Sequence, residues 1–233
     1  MNFSYLENIV SDRRLYRYLM ACNENRNRAL ILYRYNIKAS IEMFAVVGAF
    51  EVALRNAINK VMSECFGDNW LRDAVLPGGL FDIYQCRDHA RIIKSAYEKL
   101  LRQNCYSHDN LLSKMEFGVW KYMFSSPQFR ASGRVLLTVF PNKPKSTRFI
   151  QYNNTYLFNE LDRVNSLRNR IAHHEPICFP TGFAVISTSY IESIYSKVIT
   201  LLDWLAIDSN KYLYGIDHVK TICRLINNLK VDN

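Results

Sequence analysis

Glycine and proline are scarce, at eight and six residues of 233, about half the ~12% share usual in globular chains. A sandwich or barrel needs a turn signal every ~8 to 12 residues, so this shortage argues against all-β architectures and for long helices joined by few loops. No two cysteines stand in CxxC spacing. Cys22, Cys65, Cys86, Cys105, Cys178 and Cys223 suit neither a zinc site nor a small disulfide scaffold, and read as free thiols of a reducing cytoplasm. HExxH, P-loop and GxGxxG patterns are missing, as are serine or cysteine triads, so neither a metal nor a cofactor is expected. No run of ~18 apolar residues occurs, and Asp12, Arg13, Arg14 and Arg17 interrupt the N-terminal stretch. The expectation is a cytoplasmic protein, neither secreted nor membrane-spanning.

What is present is core material and positive charge. Hydrophobic residues make up 49% and charged residues 22%, proportions that exclude disorder and fibrous classes. Lysine and arginine number 30 against 21 acidic residues, for a net charge of +9. Such a field attracts polyanions, which makes RNA the default partner.

The longest uninterrupted helical pattern runs from about 36 to 63, with Gly67-Asp68-Asn69 as its stop. At ~100° per residue, Ile37, Ile41, Phe44, Gly48 and Met62 share one stripe, and Met43, Val47, Phe50, Leu54 and Val61 an adjacent one. A helix apolar over so much of its girth reads as central. Glu51, Arg55 and Asn59 fall on the first stripe at i, i+4, i+8, where Glu51 and Arg55 are oriented to form a buried pair. Helical periodicity resumes from Tyr156 to His174 and again from about Ser187 to Ala206, with a final helix near His218 to Leu229. With no dividing linker, the chain reads as one all-α domain over 1–233.

Between Phe117 and Asn159 stand Lys121, Arg130, Arg134, Lys143, Lys145 and Arg148 with no acidic residue. Aromatic residues interleave with them, among them Trp120, Tyr122, Phe124, Phe129, Phe140, Phe149, Tyr152 and Tyr156, and Pro141 and Pro144 place a loop in the segment. Cations that track phosphates beside aromatic faces on which bases stack are what single-stranded RNA requires. The same pattern fits core aromatics with a solvated cationic rim.

The densest polar chemistry is Ser166 to Pro176, SLRNRIAHHEP. Leu157, Leu161, Val164 and Ile171 form its apolar stripe, with Arg168 at the edge and Asn169 and His173 together on the opposite face. Pro176 disfavours the α conformation at Glu175, which puts His173 and His174 in the last turn, where carbonyl ends favour a cation. Histidine there suits proton transfer. RNA carries its own nucleophile, so removing the 2′-OH proton, protonating the departing 5′-oxygen and neutralising the phosphorane are jobs for histidine and arginine without a metal. Arg168 and His173 diverge by about 140° on one helix, an arrangement better suited to two copies facing across a dyad than to one. The alternative is structural: histidines capping carbonyls, and Arg168 pairing with Glu51.

Arg168-Asn169-Arg170-Ile171-Ala172-His173 resembles the R-x4-6-H signature of HEPN domains. Its company is more specific: ALILYRYN (Ala29 to Asn36), EVALRN (Glu51 to Asn56), GDNWL (Gly67 to Leu71), EFGVW (Glu116 to Trp120) and RNRIAHHEPI (Arg168 to Ile177). Together they resemble the Abi-like proteins of the AbiD/AbiF type over nearly the whole chain. The resemblance implies a single HEPN-like helical bundle, its core helices about 36–63 and 156–206, with additional helices and a basic loop-bearing excursion over about 117–159. It further implies a metal-independent endoribonuclease of antiphage abortive infection, acting at a composite site in a homodimer. Arg168 and His173 match the family's catalytic residues and Asn169 the accompanying polar residue; His174 also satisfies the spacing. Glu51, Arg55 and Asn56 match a motif assigned here to support of the catalytic helix. The alternative function is a non-catalytic module that holds a structured small RNA or a partner protein. An antitoxin or small regulatory RNA is a further possible partner, and no membrane association is expected.

Overall fold

A computed structural model describes residues 3–230. All regular structure among them is helical. In chain order the helices are α1 (Phe3–Val10), α2 (Asp12–Ala21), α3 (Arg26–Phe66), α4 (Trp70–Asp73), α5 (Arg87–Arg102), α6 (His108–Ser113), α7 (Phe117–Tyr122), α8 (Ser126–Ala131), α9 (Asn154–Ala172), α10 (Ser189–Trp204), α11 (Ser209–Tyr212) and α12 (Val219–Asn227). The helix read over about 36–63 starts ten residues earlier, at Arg26. The two helical stretches read over about 156–206 are α9 and α10, with an irregular stretch between them. No helix among the described residues is long and apolar enough to cross a membrane.

The chain divides into two compact units. The first takes the described residues up to Ala49, Ser166–Ile199 and those from Ser209 onward; the second takes Phe50–Asn165 and Thr200–Asp208. In the first unit, Met43, Val46 and Val47 of α3 are fully buried, as are Leu167 of α9, Ile191, Ile194 and Val198 of α10, and Val219 of α12. Tyr18 of α2 meets Phe179 edge-on at 5.0 Å between ring centroids. One buried polar group organises this core. Asn36 Oδ1 accepts from the backbone N–H of Ile177 at 2.9 Å and of Cys178 at 3.2 Å, pinning the chain beyond α9 to α3. Two buried donors with no helical partner are thereby satisfied by one side chain.

In the second unit, Gly67 closes α3 at φ +87°, a conformation that favours glycine. The turn delivers Trp70 and Leu71 into the core. Asn59 Oδ1 holds two rings there, with Trp70 Nε1 donating at 2.8 Å and His108 Nε2 at 2.8 Å from it. Gly79 is obligatory for another reason: a Cβ would lie 2.1 Å from the Asp73 carbonyl oxygen. Phe117, Val119 and Trp120 of the EFGVW motif are buried, so that motif builds core.

The apolar girth of α3 is not buried all round. Met43 and Val47 are enclosed, whereas Ile37, Ile41 and Phe44 are 42%, 62% and 51% exposed. Three large apolar side chains at i, i+4, i+7 on one face of the first unit leave a stripe in water that ordinary monomer surfaces do not require.

Candidate functional site

Helix α9 ends at Ala172, short of the stop that Pro176 alone dictates. His174 adopts a left-handed conformation, φ +56°. Its N–H donates to the Ile171 carbonyl at 2.9 Å, and the Glu175 N–H reaches back to the Arg170 carbonyl at 2.8 Å. This pair of bonds is the Schellman closure, whose left-handed position is ordinarily filled by glycine. Histidine is one of the few non-glycine residues that adopt this conformation readily. Arg170 stabilises the turn from the side. Its Nη2 donates to the Pro176 carbonyl at 2.5 Å, and its Nε pairs with Glu175 at 3.4 Å.

Helix α2 holds the same region from the other direction. The Arg14 guanidinium donates to the His174 carbonyl. Arg17 Nη2 donates to the Pro180 carbonyl at 2.6 Å and to the Phe183 carbonyl at 2.8 Å, with its guanidinium 5.0 Å from the centroid of the Phe179 ring. Two arginines three residues apart on a short helix therefore brace the segment that carries the histidines.

The outcome is a cavity of about 780 Å³ within the first unit. Arg168, His174 and Arg14 line it, together with Asn36, Ser40 and the exposed stripe Ile37, Ile41 and Phe44. It thus combines two guanidiniums and an imidazole with an apolar floor. Arg168 is half-buried, and His174 is exposed. The sequence-predicted trio is divided: Arg168 lines the cavity, whereas His173 and Asn169 stand exposed on the outer side of the turn, joined only by the His173 N–H to Asn169 carbonyl bond of 2.9 Å. The left-handed residue reverses the chain after α9, and His174, not His173, is among the residues that line the cavity.

Glu51, Arg55 and Asn56 belong to the second unit, where Arg55 Nε donates to Asn56 Oδ1 at 3.4 Å. Glu51 and Arg55 are half-buried and Asn56 is exposed. Arg14 and Asn36 are site-building residues that the sequence reading does not single out. Asn36 closes the ALILYRYN motif, and a lone polar residue ending an apolar run is the available signal for it.

The basic segment does not form one cationic surface. Lys121 is buried, its Nζ 2.8 Å from Asp162 and 4.5 Å from the centroid of the Tyr122 ring. That corrects its reading as an RNA contact: the ammonium is committed to a carboxylate supplied from just outside the acid-free stretch. Phe124 and Phe140 pack together at 5.7 Å, and with Trp120 and Phe129 they are buried in the core, whereas the half-buried Tyr152 stands edge-on to Trp204 at 5.5 Å. Arg130, Arg134, Lys145 and Arg148 are exposed, and Lys143 is half-buried. Phe149 is 91% exposed. It is held out by a turn in which Thr147 Oγ1 accepts from the N–H of Phe149 at 3.3 Å and of Ile150 at 3.1 Å.

Among the described residues, no three His, Cys, Asp or Glu side chains are grouped to hold a metal ion. The chain matches no protein-family model, no curated protein and no solved structure.

Proposed function

We propose that this chain is a metal-independent endoribonuclease of the HEPN type, acting as a homodimer in antiphage abortive infection. The observation that supports it best is the shared cavity of Arg168 and His174. In-line attack by a 2′-OH needs a base at that hydroxyl, an acid at the departing 5′-oxygen and positive charge at the phosphorane. Arg168 supplies the charge, with Arg14 as a second guanidinium beside it. His174 supplies one of the two proton transfers. Asn169 and His173, on the outer side of the turn, are placed to hold flanking phosphate. The second proton transfer falls to a second copy, docked along the apolar stripe Ile37, Ile41 and Phe44 that runs into the cavity. Products are a 2′,3′-cyclic phosphate and a 5′-OH. The defence role rests on the family resemblance, as does the assignment of Glu51, Arg55 and Asn56 to support of the catalytic helix.

A second reading is favoured by one observation, the projecting Phe149 with exposed Lys145 and Arg148 beside it in sequence. A ring for base stacking next to cations for phosphate suits a module that holds RNA without cutting it. The two readings separate on single variants. His174→Ala abolishes cleavage and spares RNA affinity under the first, whereas cleavage that persists in the joint His173→Ala and His174→Ala variant refutes it.

A further inference from the structure

A second cavity of the first unit, about 810 Å³, is lined by α10, α11, the turn at Tyr214 to Asp217 and α12, and shares no residue with the site above. Its volume is that of a pocket for a small organic ligand. The charges on its walls are unevenly satisfied. Asp217 accepts from the Tyr195 hydroxyl at 2.5 Å and from the Val219 N–H at 3.1 Å, and Glu192 accepts from the Thr188 hydroxyl at 3.0 Å. Both carboxylates are therefore occupied from within.

The cations are not. Lys220 and Arg224 lie four residues apart on α12, on one face. Neither forms an ion pair among the described residues; Lys220 Nζ lies 5.8 Å from the centroid of the Tyr195 ring. Two cations on one helix face, neither in an ion pair, offer an anion donors from both side chains. Asn227, one turn on, is fixed by the fold: its Nδ2 donates to Thr188 Oγ1 at 2.8 Å, and its Oδ1 is enclosed away from the cavity. At the rim, Tyr214 is 88% exposed, carried on a turn closed by Gly215 at φ +78°.

We infer that this cavity binds a free nucleotide, with its phosphate held by Lys220 and Arg224 and its base stacked on Tyr214. A phosphate and a flat ring are the two features these residues recognise together.

Isothermal titration of the purified full chain with AMP, ATP, adenosine, inorganic phosphate and a 5′-phosphorylated oligonucleotide tests this directly. AMP or ATP binds at one site per chain, and adenosine and phosphate bind at least about tenfold more weakly. Lys220→Ala with Arg224→Ala weakens the nucleotide at least about tenfold, and Tyr214→Ala about fivefold or more, with Tyr214→Phe restoring it. Arg168→Ala with His174→Ala leaves nucleotide affinity intact, which separates this site from the proposed nuclease centre. Thermal melting checks that each variant is folded. Absence of nucleotide binding at millimolar concentration overturns the inference, as does binding that survives the Lys220 and Arg224 changes, or binding confined to the oligonucleotide.

Discussion

The guanidinium of Arg14 donates to the backbone carbonyl of His174, so the residue in the left-handed turn is braced by a helix more than 150 positions away in sequence. Arg14→Ala removes that brace and a cavity cation together. If the turn sets the imidazole, cleavage falls by roughly tenfold to a hundredfold, the cost of about 1 Å of misplacement. Urea unfolding shifts by less than about 1 kcal/mol, as for other exposed hydrogen bonds. A variant as active as wild type contradicts the assignment.

Asn36 carries a different load. Asn36→Leu keeps the branched shape but leaves the N–H groups of Ile177 and Cys178 without an acceptor. Each orphaned donor costs ~1 to 3 kcal/mol, and a loss of about 2 to 4 kcal/mol is expected in equilibrium unfolding. An unchanged denaturation midpoint would show that water or another group satisfies both.

His89 makes the second unit sensitive to acid. Burial lowers its pKa from 6.5 to about 4, against the opposing effect of its Nε2 contact with the Val119 carbonyl at 3.1 Å. The neutral ring is favoured in the folded state, so its contribution is complete above pH 6.5 and is lost as pH falls toward 4, where the unfolded chain binds more protons. About 3 kcal/mol is at stake over that window. Comparing wild type with His89→Gln in urea at pH 7.5 and 4.5, the destabilisation caused by acid is smaller in the variant; equal losses in both would contradict it.

The stripe Ile37, Ile41 and Phe44 predicts self-association. Sedimentation at micromolar concentration shows a dimer for wild type and a 27.3 kDa monomer for Ile41→Asp with Phe44→Asp, whose helical circular dichroism is unchanged because both side chains are exposed. A wild-type monomer at every concentration removes the composite site.

Much of the helical framework was legible in sequence because scarce turn formers and long apolar periods leave few alternatives to helix. What escaped was how each apolar or basic face is covered. The two stripes of α3 look alike in sequence, yet Met43 and Val47 are buried by this chain and Ile37 and Ile41 are not; hydrophobicity records burial against any partner, including one outside the chain. Lys121 reads as part of a cationic run because its partner, Asp162, lies beyond that run. Arg168 and the two histidines were visible as a cluster of chemistry, but the left-handed turn at His174 was not, because no glycine marks that position.

The most direct test is incubation of the purified protein with total cellular RNA in EDTA, comparing wild type with the Arg168→Ala, His174→Ala double variant and mapping the ends. Cuts made by wild type alone, ending in 2′,3′-cyclic phosphate and 5′-OH, are the predicted result. RNA that stays intact under wild type, or is cut equally by the double variant, contradicts the account.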